Sequence, residues 1–230
     1  MAPIQRPAWV LDVGCGSGQW AFDLCSEFPK ALAVGLDLVP SKPEHPENYR
    51  FVKSNLLDGL PFPDDRFEFV HQRLLGSGVP LKSWDTVVED LVRVARPGGW
   101  IELVEGRWEI EPAGPATKRL FELGRRVGQS LGLDMTGIVF GSFDERLQGA
   151  GMINIERWGV DVPIGEWGGR LGSLMATDCR AMFTRLSTVF KTKLHLSRAE
   201  CNELLQAMTY ECEEHNSMGT FACTFGQKPL

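Results

Sequence analysis

The sequence predicts a single α/β domain over residues 1–230, and three observations predict it. Short apolar runs alternate with helix-period patterns through the N-terminal half, the order expected when helices cross between parallel strands. Three alternate glycines, Gly14, Gly16 and Gly18, stand between the first apolar run and the first helical pattern. At 230 residues, 43% hydrophobic and 23% charged, the chain suits one substantial core rather than two small ones.

Pro3 and Pro7 discourage a helix ahead of the first strand, Val10–Val13. The strand lies in W-V-L-D-V-G-C-G-S-G-Q-W, Trp9 to Trp20, and Trp20, Ala21, Leu24 and Phe28 then follow helical spacing. Strand, glycine turn and helix N-terminus together bring backbone N–H groups up to an anionic or polar ligand group. The dinucleotide fingerprint requires a third glycine three residues after the second. Gln19 holds that place, and Asp12 sits inside the strand two residues before the first glycine.

Ala31–Leu38 reads as the second strand, with Asp37 near its carboxyl end, 19 residues after Gly18. An acid there accepts hydrogen bonds from both hydroxyls of a ribose; the plain alternative is a strand-end acid facing water. Residues 39–48 hold three prolines and read as loop, and Tyr49–Lys53 is a short third strand. The fourth, Arg66–Val70, ends in His71-Gln72-Arg73. Ligands of open α/β sheets sit outside the carboxyl ends of the strands, so these three polar residues are expected to emerge there. His71 is then a candidate general base, Gln72 an orienting group and Arg73 an anchor for an acidic substrate or a loop. Simple capping of the strand end is the alternative.

From Trp84 the spacing of Val87, Val88, Leu91, Val92 and Ala95 is helical, and Arg96-Pro97-Gly98-Gly99 ends it. Trp100–Val104 predicts a fifth strand finishing at Glu105, a second base or hydrogen-bonding candidate on the same sheet edge as His71, unless it simply faces water. Helices follow over Gly114–Leu131 and Asp144–Gln148, then a strand over Ile153–Val162 broken by Pro163-Ile164-Gly165. A helical stretch covers Trp167 to Phe190, and Ser197 with Glu200 forms a capping box. Cys201, Leu204, Leu205, Met208 and Cys212 mark the apolar face behind that box, and Gly219–Gln227 closes as a strand. Trp108, Trp158, Trp167, Met175 and Met182 read as core, with an apolar substrate pocket as the alternative.

Asp12 and the glycine turn spell D-x-G-x-G-x-G, followed in order by N-L-L-D-G-L-P-F-P-D-D-R-F-E-F-V-H-Q-R and V-A-R-P-G-G-W-I-E-L-V-E. The set resembles the class I S-adenosylmethionine (SAM) methyltransferases of the fungal secondary-metabolism type, a group related to the methyltransferase-like regulators of the velvet complex. The resemblance covers residues 2–105 well and Met218–Pro229 loosely. It implies a Rossmann-like, seven-stranded, mostly parallel sheet of order 3-2-1-4-5-7-6, the last-numbered strand antiparallel, with helices on both faces. It also implies that Asp12 and the Gly14, Cys15, Gly16, Gly18 turn hold the methionine end of SAM. Asp37, with Leu38 beside it, would take the ribose. Asn55 with Leu56 would take the adenine, with Asp58 competing for Asn55's place; an asparagine amide accepts from the adenine amine or donates to a ring nitrogen. His71 and Gln72 complete the implied cofactor set, and His71, Arg73 and Glu105 the catalytic one. Relatives carry lid helices before the first strand, whereas eight residues precede Trp9 here, so the lid is expected to be lacking.

The net charge of −6 gives no general pull towards nucleic acid. The basic cluster Lys118, Arg119, Arg125 and Arg126 shares a helix with Leu120, Leu123, Val127 and Leu131 and reads as its solvated face. Six cysteines form no C-x-x-C pair and, with four histidines, offer no metal-ligand spacing. Reduced thiols, no apolar run long enough for a membrane and no secretory leader ahead of Trp9 suggest a cytoplasmic protein, with the nucleus as the alternative. The expected function is transfer of a methyl group from SAM, with S-adenosylhomocysteine as product, to an O or N atom of a small, partly apolar metabolite. Such transfer is an in-line displacement in which positioning supplies much of the rate, and a base is needed only for a protonated acceptor. A non-catalytic regulatory subunit and a methyltransferase-fold enzyme of non-methyl chemistry are the alternatives. The small acceptor is the expected partner, with a homodimer or a regulatory protein beside it, and neither membrane nor metal.

Overall fold

A computed structural model describes residues 2–40 and 42–230. In chain order the elements are β1 (Trp9–Val13), α1 (Gln19–Glu27), β2 (Leu32–Asp37), β3 (Tyr49–Lys53), β4 (Phe67–Arg73), α2 (Trp84–Val94) and β5 (Ala95–Glu111). There follow α3 (Pro115–Leu131), α4 (Ile138–Gly149), β6 (Ile153–Pro163), α5 (Gly169–Leu194), α6 (Arg198–Glu214) and β7 (Met218–Gln227). The strands form one mixed sheet in the order β3-β2-β1-β4-β5-β7-β6 with helices on both sides, the order implied by the resemblance. The pairs β1–β2, β1–β4, β2–β3 and β4–β5 are parallel. Ser41, inside the predicted 39–48 loop, and Met1 lie outside the described residues.

Contacts gather into two compact units: residues 1–105, 141–158 and 223–230, and residues 106–140 and 159–222. In the first, the strand pleat sends successive side chains to opposite faces. Val10, Ala33, Tyr49 and Phe69 pack with Ala21, Phe22, Leu24 and Cys25 of α1. Gly35 is required there. A Cβ on it would lie 2.1 Å from the Tyr49 hydroxyl and 2.8 Å from the Cys15 thiol. On α2, Trp84, Val87, Val88, Leu91 and Val94 are buried, and Trp84 meets Phe143 of α4 edge-on at 5.3 Å. The guanidinium of Arg93 donates to the carbonyls of Leu60 (2.9 Å) and Phe62 (2.8 Å), holding the loop after β3 against α2. Lys228 closes the end of α2, its Nζ donating to the carbonyls of Val92 (2.9 Å) and Ala95 (2.8 Å).

In the second unit α3, α5 and α6 enclose an apolar core that includes Leu120, Phe121, Val127, Phe183, Phe190, Leu205 and Met208. The N-terminus of α3 has no cap of its own. Glu211 of α6 supplies one, accepting from the amides of Ala116 and Thr117 at 2.8 Å each and from the Thr117 hydroxyl at 2.7 Å. The Ser197–Glu200 capping box is present as expected. Lys118, Arg119 and Arg126 are exposed on α3, while Leu120, Leu123 and Val127 are buried.

Four expectations need correction. β4 does not end at Val70 but continues through Arg73, because β1 and β5 both hydrogen-bond to its final residues. β5 starts at Ala95 and runs to Glu111; beyond Glu105 polar and apolar residues alternate, which is strand period without an apolar run. α4 begins at Ile138 rather than Asp144, with Val139 and Phe143 both buried on it. The helical stretch ending at Phe190 extends to Leu194 as α5. Trp108, Met175 and Met182 pack against the core of the second unit, whereas Trp158 and Trp167 are exposed. All six cysteines are free, five of them buried, and among the described residues no helix is long and apolar enough to cross a membrane.

Candidate functional site

The first unit gathers most of the predicted site residues at the carboxyl ends of β1 to β4. Gly14, Gly16 and Gly18 have φ of 70°, 53° and 82°, left-handed values that glycine adopts without strain. The amides of Gly14 and Cys15 donate to the Leu36 carbonyl at 2.8 and 3.1 Å, fastening the turn to β2. Asp37 completes the attachment. One carboxylate oxygen accepts from Gly16 N at 2.9 Å and the other from Val39 N at 3.1 Å. Among the described residues nothing lies within 4 Å of where a Cβ on Gly16 would be. Among the described residues no side chain caps α1, whose first-turn amides stand at the turn without a side-chain acceptor there.

Leu38 is exposed next to Asp37. The Asn55 side-chain oxygen accepts from Leu57 N at 3.1 Å, which caps a 3₁₀ turn over Leu56–Asp58. Among the described residues its NH₂ group has no partner. Leu56 is half-buried and Asp58 exposed in the same turn.

His71 and Gln72 do not emerge at the edge as expected; they are 1% and 0% exposed inside β4. His71 faces Asp12 across the β1–β4 register, and its Nδ1 lies 2.9 Å from a carboxylate oxygen of that equally buried acid. Trp20 of α1 lies flat on the imidazole, centroids 3.6 Å apart and planes 5° from parallel. Gln72 points to the other face, where its Nε2 donates to Glu105 Oε1 at 3.0 Å. The same oxygen accepts from the amides of Leu75 (2.6 Å) and Gly76 (2.8 Å). His71 and Glu105, expected on one edge, thus lie on opposite faces of the sheet. Gln72 Oε1 is buried with no partner among the described residues, an orphan acceptor at the strand end. Arg73 is exposed and makes no ion pair among the described residues.

The Cys15 thiol is pushed up to about 11, chiefly by burial; the Tyr49 hydroxyl opposes this, while the charges of Asp12 and Asp37 add to it. It remains a thiol inside the turn, not a nucleophile. Sequence reasoning misses three contributors, Trp20, Leu75 and Gly76. Trp20 reads only as part of an apolar helix face, although a large aromatic in the first turn after a glycine loop is a usable signal. Leu75 and Gly76 act through backbone amides, which leave none.

Residues 10–99 match a family model described as a methyltransferase domain. The chain is 39% identical over 115 residues to the secondary metabolism regulator laeA of Coprinopsis cinerea, covering 49% of this chain and 27% of that protein. To the N-methyltransferase sirN of Leptosphaeria maculans it is 25% identical over 232 residues, covering 96% and 81%. The chain spans less than half the length of the laeA relatives it matches. The solved Haemonchus contortus phosphoethanolamine N-methyltransferase 2, in complex with S-adenosyl-L-methionine, has a TM-score of 0.60 at 16% identity over 100% of this chain and 50% of that one. At that identity the likeness is one of fold.

Proposed function

We infer that this chain, a methyltransferase domain over residues 10–99 carried on the class I methyltransferase sheet, transfers a methyl group from SAM to an O or N atom of a small, partly apolar metabolite. The observation that carries the reading is the joining of Asp37 to the glycine turn through Gly16 N at 2.9 Å, which sets a ribose-binding acid beside left-handed glycines and open space. SAM supplies a methyl carbon already activated by its sulfonium and open to in-line displacement.

The residues present fit that cofactor. The turn of Gly14, Cys15, Gly16 and Gly18, whose own amides are taken by Leu36, Asp37 and Cys15, shapes the space for its methionine end at the start of α1, and Asp12, fixed by His71, lends its charge to that end. Asp37 and Leu38 take the ribose. Leu56 packs on the adenine, and Asn55, its oxygen committed to Leu57 N, offers its NH₂ group to a ring nitrogen. The orphan acceptor of Gln72 suits an ammonium donor, since a buried acceptor left unpaired is costly. His71 positions Asp12 rather than taking a proton from the acceptor. Arg73, exposed and without an ion pair among the described residues, anchors an acidic group of the acceptor.

Likeness to proteins named regulators favours a second reading, a regulatory subunit that binds a protein partner. Free, mostly buried thiols support a cytoplasmic placement, and the fungal relatives a fungal origin. Titration calorimetry of the chain with SAM and S-adenosylhomocysteine, beside Asp37→Ala, decides first. Micromolar binding weakened in the variant supports the enzyme and opens acceptor screening; a folded chain that binds neither overturns it in favour of the regulatory reading.

A further inference from the structure

We propose that Glu105 is a positioning residue whose carboxylate clasps the loop after β4, so that Leu75 forms a wall of the cofactor site against Gly14. The proposal rests on the SAM-binding reading above. The ladder between β4 and β5 ends where Leu74 N donates to the Val104 carbonyl at 2.9 Å. Leu74 then turns the chain with φ 57°, a value a branched side chain adopts only when its surroundings impose it. The next two amides, of Leu75 and Gly76, would be left without ladder partners; Glu105 Oε1 takes both, at 2.6 and 2.8 Å. Gln72 Nε2 fixes the carboxylate from the strand side at 3.0 Å. The loop itself is tight, since the Leu75 carbonyl accepts from Gly78 N (2.8 Å) and Val79 N (3.1 Å).

Held this way, Leu75 lies directly on the glycine turn. A Cβ on Gly14 would be 2.6 and 2.7 Å from the two Leu75 methyl carbons. Gly14 is therefore required twice, for its φ of 70° and for this contact. Glu105 Oε1 already receives three protons' worth of hydrogen bonding, and a base there would have to surrender the loop to accept another. The carboxylate acts through Leu75, not on the acceptor.

The test combines amide hydrogen exchange of Leu75 and Gly76 with S-adenosylhomocysteine affinity in the wild type, Glu105→Ala, Glu105→Gln, Leu75→Ala and the Glu105→Ala/Leu75→Ala double variant. Glu105→Ala is expected to lose protection at both amides and to weaken affinity about tenfold, the scale of one or two lost hydrogen bonds. Glu105→Gln keeps an oxygen for both amides and should retain protection, affinity within about threefold and turnover. The double variant should bind no more weakly than the worse single one, because both changes remove the same wall. Should Glu105→Ala fail to fold, Gly76→Ala serves in its place. Its Cβ would lie 3.1 Å from Glu105 Oε2 and should loosen the clasp with the carboxylate intact. Unchanged protection in Glu105→Ala, additive losses in the double variant, or a Glu105→Gln that binds normally and does not turn over would overturn the proposal. A wild type that binds no S-adenosylhomocysteine overturns the SAM reading instead, and the exchange data then decide the clasp alone.

Discussion

The backbone N–H of Gly16 donates to the carboxylate of Asp37 at 2.9 Å, so the acid at the end of β2 also fastens the glycine turn after β1. Removing Asp37 withdraws a ligand group and loosens the turn together. Asp37→Ala should raise the dissociation constant for S-adenosylhomocysteine roughly thirtyfold, about 2 kcal/mol for hydrogen bonds to a charged acceptor. Asp37→Asn keeps the shape without the charge and should fall between the two in calorimetry. Equal affinity in all three would assign Asp37 to the turn alone.

Buried Asp12 and His71 are hydrogen-bonded and half-buried Trp20 stacks on the imidazole, so variants of the three should not behave independently. His71→Ala leaves the Asp12 carboxylate without its donor and is expected to cost about 2–3 kcal/mol in urea denaturation. Trp20→Ala should show a coupling with it of about 1 kcal/mol in a double-mutant cycle. Simple additivity would mean that the stacked geometry contributes nothing to stability.

Glu211 sets an acid limit on the second unit. Burial opposes its ionisation, but the Thr117 hydroxyl and the amides of Ala116 and Thr117, with the charge of His215, outweigh this and hold the carboxyl below its ordinary 4.5. A group with a lowered folded-state value stabilises fully above the unfolded value and stops doing so as pH falls through the folded one. Glu211→Gln should therefore cost about 2 kcal/mol at pH 7, and the difference from wild type should shrink below about pH 4.5. Thermal melts from pH 7 to 3 measure it, and a gap that widens in acid would contradict the assignment.

Gly35 makes room for Tyr49 and Cys15. Gly35→Ala forces the Tyr49 hydroxyl, 2.1 Å from the new Cβ, to move, and should cost about 1–3 kcal/mol. Tyr49→Phe in the same chain should restore part of that. Cys15, with its thiol near 11, should resist iodoacetamide at pH 8 until the chain is unfolded, as mass spectrometry of the alkylated peptide would report.

The sheet's parallel half is legible because most of its strands are short apolar runs bounded by glycine, proline or a strand-end acid; the glycine turn and Asp37 follow from those strand ends, whereas the roles expected of Asp12 and Asn55 come from the resemblance. What escaped was tertiary. β4 looked finished at Val70 because His71, Gln72 and Arg73 are polar, yet buried polar residues continue a strand when each finds a partner across the sheet. Residues 106–111 hid the length of β5 by alternating charge with Trp108 and Ile110. Glu105 stands out in the sequence as a base or hydrogen-bonding candidate because a carboxylate advertises chemistry; that it accepts from the Leu75 and Gly76 amides is hidden there, since backbone amides belong to no residue type.

Adjacent residues of β4 answer to different acids, His71 to Asp12 on one side of the sheet and Gln72 to Glu105 on the other. A strand covered on both sides carries little registration in its apolar residues, since Phe69 and Val70 are buried alike whichever side each takes. Shift β4 by one position in one direction and His71 meets Glu105 while Val70 meets Asp12; shift it in the other and Gln72 meets Asp12 while Arg73 meets Glu105. Each acid then loses a fitted donor in a place water does not reach. The two pairs therefore favour one alignment of the central strand over either neighbouring one, a choice its apolar residues alone leave open.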